Sequence, residues 1–71
     1  MCLSTVYKGN TEAPENILAE YVVTVETDGE TLRFTDITGE QLTLRARITQ
    51  IDLIKGKIYI TDDSHFASIP N

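Results

Sequence analysis

QLTLRARITQIDLI, residues 41–54, carries no glycine and no proline. Leu42, Leu44 and Ile48 alternate in it with Thr43, Arg45 and Arg47, the period-two pattern of a strand with one face buried and a basic face outward. Drawn straight at about 3.3 Å per residue, the stretch would reach about 46 Å. A compact domain of this chain length has a radius of gyration near ~11 Å and a diameter of about 28 Å. The strand must therefore bend, and the bend is expected between Ala46 and Thr49. Bent strands joined by short turns wrap a small sheet onto itself. The expected fold is all-β: a small, strongly bent antiparallel sheet forming an Sm-like or SH3-like open barrel, with an open two-layer sandwich as the alternative.

The flanking segments extend that pattern. In EYVVTVET, residues 20–27, period-two counting sends Tyr21, Val23 and Val25 to the core and Val22, Thr24 and Glu26 outward. Asp28-Gly29 follows, a dipeptide suited to a two-residue hairpin turn, and TLRFTDI returns with Leu32 and Phe34 inward. Further turns are expected at Thr38-Gly39-Glu40 and at Lys55-Gly56, the latter leading into KIYITD with Ile58 and Ile60 inward. ENILAEY, residues 15–21, fits either one helical turn or an early strand. SHFASIPN, after the paired acids Asp62 and Asp63, has no period, so residues 62–71 are expected to form an irregular tail. Residues 1–71 read as one domain without internal repeats.

A chain of 71 residues buries only about 60% of the surface its unfolded form exposes, so a small core usually needs help from a metal, disulfides or another subunit. One cysteine cannot close an internal disulfide, which leaves a metal or a second chain. No apolar run approaches the roughly 20 residues that span a bilayer, and the N-terminal segment has no basic stretch leading an apolar one. A soluble, cytoplasmic protein without a membrane partner is expected. The net charge of −5 repels phosphate backbones, so no nucleic-acid partner is expected either. Tyr21 and Phe34 read as buried, and Tyr7 with Tyr59 as exposed rings too few to make a stacking platform.

Catalytic patterns are missing: there is no P-loop, GxGxxG, HExxH or CxxC. Cys2 and His65 stand near opposite ends with no oxyanion-hole motif, so no catalytic residue is assigned and no enzyme is expected. Asp28, Glu30, Asp36, Glu40, Asp62 and Asp63 lie in or beside turns, where acids cap and solubilise. A lone cysteine is ordinarily an inert core residue. At position 2, however, the Cys2 thiolate has backbone nitrogen beside it, either its own amine if Met1 is removed or the Cys2 amide and Met1 amine if Met1 stays. Sulfur and adjacent nitrogen close a compact chelate ring. A two-fold dimer would pair the two sets, and square-planar N,S ligation suits Ni(II) or Cu(II).

The segment Met1-Cys2, followed by a strand containing Val6, Tyr7 and Lys8, resembles the start of the CooT family of small nickel-binding proteins associated with carbon monoxide dehydrogenase maturation. LRFTDITGEQLTLRARITQIDLIKGKIYI continues the likeness through its Thr-Asp-Ile-Thr-Gly-Glu turn, Ile48, Ile51-Asp52-Leu53 and the Lys57-Ile58 strand, so that residues 1 to 8 and 20 to 61 are covered. Thr38 stands where the family commonly has an aromatic or larger apolar residue. The TEAPENI link is slightly longer than usual, and the tail has no counterpart. The resemblance implies an Sm-like barrel that forms a homodimer and holds one Ni(II) between subunits through Cys2, with Met1 contributing only backbone nitrogen if retained. It also implies a nickel enzyme such as carbon monoxide dehydrogenase, or a maturation protein, as client. The family has been labelled predicted RNA-binding as well, against which the acidic balance stands. Another class fits the residues too, a β-barrel interaction module whose partner docks on a strand edge and in which Cys2 is incidental.

Overall fold

A computed structural model describes residues 3–62, the side chain of Asp62 excepted. Five strands occur among them: β1 (Ser4–Lys8), β2 (Ile17–Asp28), β3 (Thr31–Asp36), β4 (Gln41–Asp52) and β5 (Lys57–Asp62), with one 3-10 turn at Pro14–Asn16 before β2. Consecutive strands pair antiparallel, and β1 pairs β5 in parallel, Thr5 to Lys57 through Lys8 to Ile60, so the expected all-β barrel closes into a ring. Asp62, expected in the tail, still pairs with Ala46, while residues 63–71 lie outside the described residues.

The two 12-residue strands make this closure possible. β4 pairs β3 through Gln41–Arg45 and then β5 from Ala46 to Asp52, with an irregularity between Ile48 and Gln50. The bend therefore falls within the Ala46–Thr49 segment that chain length required. β2 is shared in the same way. Its first half pairs β1 and its second half pairs β3, with Val22 opposite both Ser4 and Asp36. ENILAEY is thus divided between the 3-10 turn at Pro14–Asn16 and the start of β2, and both alternatives are present in part.

β2 also corrects the period-two expectation. From Ser4↔Val22 to Val6↔Ala19, two steps along β1 meet three along β2, and from Val22↔Asp36 to Thr24↔Thr35, two steps along β2 meet one on β3. Each mismatch is a bulge that reverses which face the following residues point to. Val22 is consequently buried at 3% exposure, whereas Tyr21 at 58% and Val23 at 40% face out, against expectation. Val25, past both bulges, packs against the core as expected. Tyr21 sits at φ +58°, a left-handed conformation that is sterically costly for a bulky residue. The hairpin loop is shifted by one residue as well: Asp28 pairs Thr31, so the loop is Gly29-Glu30.

The core is assembled from every strand: Val6, Val22, Leu32, Phe34, Ala46, Ile58 and Ile60, with Leu18, Ala19, Val25, Leu42, Leu44 and Ile48 packed around it. Among the described residues no polar or charged side chain is buried, so this interior contributes through apolar packing alone.

Candidate metal centre

Cys2 and Met1, the expected ligands, lie outside the described residues, as does His65. The described chain begins with Leu3, where β1 enters the barrel. Two neighbours hold that entrance. On one side Ser4 pairs with Val22, and on the other the Thr5 N–H donates to the Gly56 carbonyl at 2.9 Å. Gly56 has φ +69°, and a Cβ placed on it would stand 2.9 Å from the Leu3 carbonyl oxygen. Only glycine permits so close an approach of the β4–β5 turn to the residue that follows Cys2.

Strand register brings further elements to the same end of the barrel. Through Ser4 and Val22 it collects the β2 bulge, Asp36 and the turn after it, where the Ile37 N–H donates to the Tyr21 carbonyl at 2.9 Å. Through Thr5, Lys57 and Asp52 it collects the β4–β5 turn. Tyr21, Val23, Ile37, Ile51, Leu53 and Ile54 are the exposed large apolar residues among the described ones, and all six belong to these elements. Leu53 is 81% and Ile54 99% exposed. The apolar pair immediately before Lys55-Gly56 was legible in sequence as an oddity for a turn, where polar residues are usual.

The two sides of this rim differ in charge. The β2 side carries Glu20, Asp36 and Glu40 around a cleft of about 320 Å³ floored by Val22, Phe34 and Leu42. One Asp36 carboxylate oxygen accepts the Thr38 hydroxyl at 2.6 Å, the Thr38 N–H at 2.9 Å and the Glu40 N–H at 3.0 Å. The Thr38 hydroxyl bond, followed by those backbone donors, holds its carboxyl below the ordinary range. Thr38 thus works as a polar lock on the turn. The β4–β5 side is mixed: Lys55 stands there beside Asp52, whose carboxylate accepts the Lys55 N–H at 2.9 Å, and Lys57 is paired with Glu12 at 2.7 Å.

Lys57 belongs to a second cluster that sequence reading missed. Its Nζ donates to Glu12 Oε1 at 2.7 Å, and the Tyr59 hydroxyl donates to Glu12 Oε2 at 2.7 Å. Tyr59 stacks on Tyr7 with ring centroids 5.7 Å apart, and Lys57 Nζ lies 5.7 Å from the Tyr7 ring centroid. Both rings are only 7% exposed, correcting the expectation that they face solvent. The Lys57 bond, then the Tyr59 bond, lowers the Glu12 carboxyl; the Glu12 bond raises the Lys57 ammonium and, with burial second, the Tyr59 phenol. This clamp ties the loop before Pro14 across the β1–β5 seam. It is built for holding and offers no poised acid or base.

No group of three or more His, Cys, Asp or Glu among the described residues could hold a metal ion. Nor is any helix among them long and apolar enough to cross a membrane. No curated protein and no solved structure matches the sequence. One family model does, described as CO dehydrogenase accessory protein CooT, and its match runs over residues 1–61 and so takes in Cys2 together with all of β1 to β4 and nearly all of β5. The chain accordingly belongs to the CooT family, whose members are accessory proteins of CO dehydrogenase and not themselves catalysts.

Proposed function

We propose that this accessory protein handles nickel as cargo, as a homodimer that holds one Ni(II) between Cys2 thiolates and N-terminal backbone nitrogens for delivery to CO dehydrogenase. The observation that carries the reading is the extent of the family match, which begins at residue 1 and includes Cys2. The absence of a metal-holding cluster among the described residues is consistent with ligands supplied by residues 1 and 2. Thiolate with adjacent nitrogen favours a square-planar d8 ion, whereas zinc would require further Cys or His to complete a tetrahedron. Gly56, pressed against Leu3, and the Thr5 to Gly56 hydrogen bond hold the residues that follow Cys2 in the chain.

Ni(II) titrated into the wild type is expected to give thiolate-to-metal charge-transfer absorption that saturates at one metal per two chains. Cys2→Ala is expected to abolish that band. Because thiol and backbone nitrogen must lose protons to bind, affinity is expected to fall in mild acid. Equal affinity in wild type and Cys2→Ala would refute the assignment.

A further inference from the structure

Resting on the homodimer just described, we propose where the second copy docks: the β4–β5 turn of each protomer, Leu53-Ile54-Lys55, seats against the partner's cleft between the β2 bulge and the turn after β3. Three observations converge on that surface. All six exposed large apolar residues among the described ones belong to elements gathered at the end where β1 enters, so exposed apolar surface is concentrated there. Leu53 and Ile54, at 81% and 99% exposure, form the knob of that surface, and the cleft of about 320 Å³ beside Tyr21 is its recess. The left-handed Tyr21 and the two bulges around Val22 shape that recess by lifting β2 out of a regular ladder.

Charge selects the occupant. A chain of net charge −5 repels its own copy at long range, so self-association needs local complementarity. Face-to-face docking of the cleft sides would set Glu20, Asp36 and Glu40 against their own images. Rotation about a two-fold axis near the β1 entrance instead brings the Lys55 side of one copy over the acidic side of the other, and symmetry repeats the contact. Lys55 then faces the partner's Glu20 and the partner's Glu40, while Ile54 meets the partner's Tyr21 and the partner's Ile37. Asp36 is committed to its own turn and serves as a fixed wall. Leu3, the residue that follows Cys2 in the chain, lies against Gly56 at the base of the knob.

Sedimentation equilibrium on the full chain, with and without one Ni(II) per two chains, tests this surface. Ile54→Asp is expected to weaken dimerisation by on the order of 1,000-fold, since a buried anchor is lost twice across the axis. Lys55→Glu is expected to weaken it by about 10-fold, and combining it with Glu20→Lys and Glu40→Lys to restore most of that loss. All four changed side chains are exposed, so circular dichroism should show an intact barrel in each variant. A wild-type dimer left unchanged by Ile54→Asp and by Lys55→Glu would overturn the docking surface, and if it still bound one nickel through Cys2 the proposed function would stand. Cys2→Ala that loses nickel yet remains an Ile54-dependent dimer supports the surface. A wild type that is monomeric at every concentration, metal-loaded or not, overturns the surface and the dimeric nickel site together.

Discussion

Gly56→Ala is the substitution that most directly joins the fold to the proposed metal centre. Gly56 holds φ +69° and would place a Cβ 2.9 Å from the Leu3 carbonyl oxygen, a backbone atom that cannot swing aside. The left-handed conformation costs an alanine about 1–2 kcal/mol. Moving Leu3 away also weakens the 2.9 Å bond from the Thr5 N–H to the Gly56 carbonyl, a loss of about 1 kcal/mol. The expected total is about 2–3 kcal/mol, against a whole stability of roughly 4–10 kcal/mol for a domain of this length. At about 4–8 °C per kcal/mol, the melting temperature should fall by roughly 10–20 °C. Gly9→Ala is the control: φ is +79° there too, yet nothing lies within 4 Å of an added Cβ, so only the conformational part of the cost applies. Thermal unfolding followed by circular dichroism, with a chelator present so that metal binding does not contribute, would compare the two. Hydrogen exchange at the Thr5 amide should accelerate in Gly56→Ala alone. Equal melting temperatures with an equally protected Thr5 amide would refute the claim that the β4–β5 turn clamps the strand after Cys2.

Phe34, at 1% exposure in the centre of the core, should on truncation to alanine lose about 3–5 kcal/mol, much of the stability available; a cooperative melt within a few degrees of wild type would contradict that placement. The clamp on Glu12 has a definite pH window. Its carboxyl is lowered below the ordinary 4.5, so its contribution is present above that value and is lost as pH falls through the folded pKa; Lys57 and Tyr59 are raised above 10.5 and 10.0, so theirs is present below those values and is lost as pH rises past them. The stability difference between wild type and Glu12→Gln is therefore expected to be widest between about pH 6 and 9 and to shrink below about pH 4. A difference independent of pH, measured by urea unfolding, would remove Glu12 from the clamp.

The sequence by itself determined the all-β class through period-two alternation from residue 20 onward, and the bend in β4 because a strand without glycine or proline over residues 41–54 cannot stay straight inside so short a chain. It also determined the inward faces of β3 and β5, where Leu32, Phe34, Ile58 and Ile60 alternate without interruption, and it singled out Cys2 as the sole thiol. Those features depend on local periodicity or on chain length. Period-two counting failed at Tyr21 and Val22 because it assumes an unbroken ladder, and the bulges exist only through β2's need to serve β1 and β3 in turn. Tyr59 is buried against Tyr7 and bonds Glu12, 47 positions away in the chain, and no local pattern encodes so distant a contact. The parallel β1–β5 closure is of the same kind: it draws the β4–β5 turn and the β2 bulge to either side of the strand that follows Cys2. Residue type nominated the thiol, and tertiary structure decided what surrounds it, because that neighbourhood is assembled from segments far apart in the chain.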